Sequence, residues 1–152
     1  MYNAAYILHI AGLALWIGSF VAFGYLLRSL VKSSYGLENI TPVLARIRRW
    51  VNIGMVPSAI VVMATGVFMI IQLNRETLPF YLLFMEQAGS MVILITVIMV
   101  SIYSRKLRKK LQGLPMKKEQ SLETLSLHYT NYLFGSASLA MLIVIVVGLR
   151  IS

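Results

Sequence analysis

The chain has 152 residues, 59% of them hydrophobic, with a mean hydropathy of +0.79 and a net charge of +9. Helices of that composition are apolar nearly all round, which excludes an ordinary soluble domain with a polar face on every helix. There is no cysteine and no aspartate among the 152 residues, so disulfides, thiolate metal sites and thiol catalysis are excluded.

Four apolar stretches, 2–27, 51–73, 78–103 and 127–149, are each about 23 to 26 residues long. A helix needs roughly 20 residues to cross a hydrocarbon core of about 30 Å at 1.5 Å per residue. The predicted fold is therefore all-α: one integral membrane four-helix bundle, up-down-up-down, formed by residues 1–152 as a single domain. Stretch 2–27 has no charged leading region and is too long for a signal-peptide core, so it is predicted to be a mature helix. It carries Trp16 and a ladder of small residues, Ala14, Gly18 and Ala22, whose spacing predicts close approach of a neighbouring helix.

In the connection that follows, Thr41 and Pro42 are predicted as an N-cap and first helical residue. They open a basic amphipathic segment, 43–50, expected at the membrane surface with Arg48, Arg49 and Trp50 in the headgroup layer. In the second span, Pro57 predicts a kink about a turn earlier. Ser58, Val62, Thr65, Met69 and Gln72 share one face, expected to point inward. The short connection 74–79 makes the second and third spans antiparallel neighbours. The third helix is expected to run past the membrane to Leu111 and stop at Gly113 and Pro115. Ser121, with Glu123 and Thr124, is expected to open the last helix. That helix is amphipathic over 122–132 and then apolar, broken only by Gly135, Ser136, Ser138 and Gly148.

Twelve of the fourteen Lys and Arg residues fall in the first and third connections or their flanks, leaving Arg75 and Arg150 at the other side. By the positive-inside rule the basic side is cytoplasmic and both termini are outside. The location that follows is the cell membrane, multi-pass, of a bacterial inner-membrane kind. The basic runs suit topology and anionic-lipid contact. They lack the interleaved aromatics of a nucleic-acid site, so no nucleic-acid partner is expected.

Ionisable groups inside a bilayer are costly, about 2.5–3.5 kcal/mol each on insertion scales. His9 and Glu86 are the candidates well inside a span, and both enter from the outer side to similar depth. A contact between them is expected if the first and third helices are neighbours or diagonal across a narrow core. Met69 and Met85 reach the same level. Histidine with methionine is a ligand set for a soft ion such as Cu(I) and also for haem iron. For His9, a structural hydrogen bond to Glu86, serine or backbone, ligation of metal or haem, and proton transfer all stand open. His128 is expected as an interfacial residue near Arg48 and Arg49, too far from His9 to share one ligand. No phosphate loop, paired acidic motif, H-E-x-x-H or serine elbow occurs, so hydrolase and ATP-driven activities are not expected.

The run His9-Ile-Ala-Gly12-Leu-Ala-Leu-Trp16-Ile-Gly18-Ser-Phe20 resembles the opening helix of the CopD-type copper-resistance membrane domain, which begins with a histidine followed by Trp-x-Gly. The basic entry Arg46-Ile-Arg48-Arg49, the later Thr65-Gly66 and the four-helix layout match the same pattern. The resemblance implies copper binding or transport, with family significance for His9, Trp16, Thr65 and Gly66. A more distant likeness, to HemJ-type protoporphyrinogen oxidases, implies haem. The chain departs from that pattern at Phe23-Gly-Tyr-Leu-Leu-Arg28 and carries Glu86 where those proteins have lysine. Three readings result. One is a copper-binding or copper-transporting protein with His9, Met69 and Met85 as ligands and Glu86 beside them. Another is a haem redox protein with His9 as axial ligand. The last is an accessory subunit, in a homo-oligomer or a larger membrane complex.

Overall fold

A computed structural model describes residues 1–32, 37–73, 78–116 and 119–149, the side chains of 37–39 excepted. Arg75, Lys117, Lys118, Arg150 and most of the connection after the second span lie outside the described residues. The helices are α1 (Tyr2–Lys32), α2 (Leu37–Trp50), α3 (Val56–Ile71), α4 (Phe80–Leu111) and α5 (Leu122–Gly148), with a π-helical turn, Val51–Met55, joining α2 to α3. The described residues form four helices long and apolar enough to cross a membrane, α2, the π turn and α3 making one of them. The protein is an all-α four-helix bundle and a multi-pass membrane protein.

Around the bundle, α1 packs on α3 and α5, and α4 packs on α5 and less extensively on α3. Hence α1 and α4 are diagonal. The inward seam of α1 is Ala5, His9, Gly12, Trp16, Phe20, Gly24, Leu27 and Val31, a spacing of three and four that keeps one stripe on one face. Two glycines in it set how closely α1 approaches its neighbours. A Cβ on Gly12 would stand 2.7 Å from Val62 Cγ2 and 3.3 Å from the Ser58 carbonyl oxygen of α3. One on Gly24 would stand 3.1 Å from the Phe134 ring of α5. Between them Trp16 meets Phe20 edge-on, centroids 6.4 Å apart.

The second span shows what Pro57 does. Proline has no N–H to give to the preceding turn, and there the helix widens: the Val56 N–H reaches the Val51 carbonyl, five residues back. The buried stripe records the extra residue, running Ile40, Leu44, Ile47, Val51 and then, after a step of five, Val56, Ala59 and Val62. Thus the expected kink takes the form of a π turn. Ser58 Oγ donates to the Met55 carbonyl at 2.7 Å, and Asn52 Nδ2, within the turn, donates to Ser104 Oγ on α4. Thr96 and Ser136 share a hydrogen bond at 2.7 Å between α4 and α5. Such interhelical bonds average about 0.6 kcal/mol in membrane bundles.

Several expectations are corrected. Thr41 is not an N-cap: the helix is already formed at Leu37, and Pro42 lies inside it. Segment 43–50 continues into the second span as expected, through the π turn, with Ile40, Leu44 and Ile47 buried against the bundle on its apolar face. The Ala14, Gly18 and Ala22 ladder faces outward, exposed, and it is Gly12 and Gly24 that admit neighbours. On the face expected to point inward, Val62 and Met69 are buried but Gln72 is exposed. The ends of the later helices agree with expectation. Gly113 has φ +66° just past Leu111, and Ser121 Oγ accepts from the Thr124 N–H at 3.1 Å.

These contacts set a paired expectation. Gly12→Ala should destabilise the fold by about 1–3 kcal/mol, because Val62 and the α3 backbone must give way. Gly18→Ala, with nothing within 4 Å of its added carbon, should leave the thermal midpoint unchanged or slightly raised. Thermal unfolding of both variants in detergent, followed by intrinsic fluorescence, checks the contrast.

Candidate functional site

All four spans contribute to a cavity of about 400 Å³ at the end of the bundle that holds both chain termini. Its origin lies in α4. The buried positions of that helix, Ile93, Thr96, Val100, Ser104 and Leu107, continue toward the chain termini at the same spacing as Gly89, Glu86 and Leu82. No residue from Phe80 to Val92 is buried, however. There α4 stands off, and the stripe that is core at the basic end becomes cavity wall.

His9 enters this cavity from the α1 seam and is 9% exposed. Its Nδ1 lies 2.9 Å from the Val62 carbonyl oxygen and 3.1 Å from Thr65 Oγ1, both on α3. A carbonyl only accepts, so Nδ1 carries the proton. The Thr65 hydroxyl donates to the Val61 carbonyl at 2.7 Å, which leaves its lone pair for the same Nδ1–H. In the neutral ring the lone pair is then on Nε2, which has no partner among the described residues. Gly66 makes the arrangement possible: a Cβ there would stand 3.1 Å from His9 Cε1 and 3.5 Å from Nδ1. Imidazole held through Nδ1–H to a backbone carbonyl, with Nε2 open, is a common arrangement for a metal ligand.

Glu86, half-buried, lines the same cavity from α4, and so do Met69 from α3 and Met85 from α4. Of the four residues singled out in the sequence, all reach one space. Of the partners left open for the imidazole, Nδ1 takes the backbone of α3, with Thr65 beside it. Two contributors were not anticipated as ligand-facing. The Val62 carbonyl is backbone and leaves no trace in residue type. Trp16, 2% exposed, lines the deep end of the cavity with an indole N–H that lacks a hydrogen-bond partner. No Lys or Arg lines the cavity among the described residues, and among those residues no three His, Cys, Asp or Glu side chains converge to hold a metal ion.

His128 belongs elsewhere. It is exposed at the basic end of α5, its ring 5.9 Å from Tyr103 of α4. Tyr103 stacks on Tyr132 at 4.6 Å, with Lys106 Nζ 4.8 Å over its ring.

No protein-family model, no curated protein and no solved structure matches the chain.

The hydrogen bonds of His9 are directly measurable. In ¹⁵N-histidine-labelled protein, NMR should report His9 as the Nδ1–H tautomer. Thr65→Val should leave that tautomer in place through the Val62 carbonyl, whereas Gly66→Ala should displace the ring and shift both ring nitrogens. An Nε2–H tautomer in the unmodified protein would contradict the geometry.

Proposed function

We propose that this protein is a CopD-type membrane protein that binds copper as Cu(I), or helps move it, in the outer half of the cell membrane. The observation that carries the reading is the fixed imidazole. Its Nδ1–H is held by Val62 and Thr65, so His9 presents a lone pair to an apolar cavity that Met69 and Met85 also line. One nitrogen and two thioethers form a soft donor set, which suits Cu(I) rather than harder divalent ions. Glu86 places a carboxyl in the same wall, and a carboxyl near a ligating imidazole is a common companion of a metal site. The apolar walls limit water, and Thr65 and Gly66 keep the ring aimed. With the basic end of the bundle cytoplasmic, as the positive-inside rule requires, the cavity lies in the outer leaflet.

Haem is the second reading, favoured by the size of the cavity. About 400 Å³ exceeds what a bare ion needs and lies within the usual range for small-molecule sites. In this reading His9 is the axial ligand. Against it, a porphyrin's carboxylates would meet Glu86 and no Lys or Arg among the described lining residues.

Protein purified in detergent from copper-supplemented cells should retain close to one copper per chain, measured by elemental analysis. His9→Ala should abolish retention, and Met69→Leu and Met85→Leu should each weaken it in competition with a Cu(I) chelator. Thr65→Val, which removes one support of the imidazole, should weaken binding about tenfold. A Soret band lost in His9→Ala, without copper, would replace the copper reading with the haem one. Neither copper nor a Soret band would remove both.

A further inference from the structure

At the basic end, opposite the cavity, three arginines gather, and among the described residues no carboxylate pairs with them. Arg48, near the end of α2, is half-buried, and its Nε is enclosed without a hydrogen-bond partner. Arg49 follows it on α2. Ser104 of α4 takes a hydrogen bond from Asn52, one turn past Arg48, so Arg108, one turn past Ser104 on the antiparallel helix, comes to the level of Arg48 and acts electrostatically on it. Arg49 and Arg108 are both exposed. Tyr129 of α5 is 0% exposed, its hydroxyl is also enclosed and unpartnered, and Arg48 acts on it electrostatically. Among the described residues none of the three guanidiniums is paired with a carboxylate. Glu119 and Glu123, the described acids at this end, are exposed.

Three like charges at the edge of a low-dielectric bundle repel one another more strongly than they would in water. A bridging water could satisfy the Arg48 Nε and the Tyr129 hydroxyl, but it would not offset the charge. An anion does both. The guanidinium fork matches the oxygens of a phosphate, and the Asn52–Ser104 hydrogen bond, one turn away, fixes the second span against α4 beside these arginines. Arg105, one turn earlier on α4, is exposed and is not among the groups acting on Arg48, so the cluster is narrower than the basic face as a whole.

We propose that Arg48, Arg49 and Arg108 form a binding site for a phosphate-type anion, which ties the ends of α2 and α4 together over Tyr129. The site is independent of the copper reading. The phosphate could be that of an anionic lipid headgroup or free in solution, and the test separates the two. Protein in a zwitterionic detergent is titrated in one arm with phosphatidylglycerol and in the other with inorganic phosphate against chloride at matched ionic strength. The thermal midpoint is read in both. At least one probe should raise the midpoint by about 5 °C at saturation, as expected for a ligand selective for the folded state. A rise with lipid alone identifies the headgroup as the source, and a rise with inorganic phosphate identifies a soluble anion. Arg48→Gln and Arg108→Gln should lose most of that rise, Arg48→Lys should keep part of it, and Arg105→Gln should keep all of it. Arg108 is exposed, so its variant carries the test should Arg48→Gln fail to fold. Absence of any rise, or an equal loss in Arg105→Gln and Arg108→Gln, would overturn the site.

Discussion

A polar group in hydrocarbon must find a partner or incur a penalty of several kcal/mol, and in the half of the bundle near the chain termini this constraint acts on His9. Its partner is the Val62 carbonyl, with Thr65 sharing the same proton. That bond links α1 to α3, sets the tautomer and directs Nε2 away from α3. The glycine at 66 exists in the same frame, because any larger residue would press on the imidazole. Gly12, one turn along α1, brings the two helices close enough for the bond to form. The α1–α3 contact is thus both a packing interface and the mount of the candidate ligand.

The two ends of the bundle divide the work. Toward the basic end, α4 is drawn into the core by Ile93, Thr96, Val100, Ser104 and Leu107, and two polar bonds, to Ser136 and from Asn52, bind it to its neighbours. Toward the chain termini the same helix has no buried residue, and space opens between it and the others. A bundle packed throughout would leave no room for a ligand. One end is closely packed, and the other encloses the cavity.

The π turn links these halves. It is the structural answer to Pro57, and it shifts the inward stripe of the second span by one residue. Beyond it the buried stripe resumes at Val56, Ala59 and Val62 and reaches Gly66 beside His9. Irregular helical turns of this kind recur near functional positions.

Much of this was legible in the residues. Length and apolarity of the four stretches determine helices, since a chain in lipid must satisfy its backbone internally. The same logic singled out His9 and Glu86, because a costly group kept within a span has a reason to be there, and Met69 and Met85 followed from their matching depth. Gly113 and Ser121 marked helix ends through local backbone chemistry. What tertiary structure alone decided was which faces meet. Ala14, Gly18 and Ala22 read as a packing ladder yet face outward, and Gly12 and Gly24 serve instead. Periodicity identifies a stripe, but in a helix apolar on every side it does not say which stripe turns inward. Which main-chain carbonyl holds His9 was undecided for a related reason: backbone acceptors are present at every residue, and only the approach of two helices selects one.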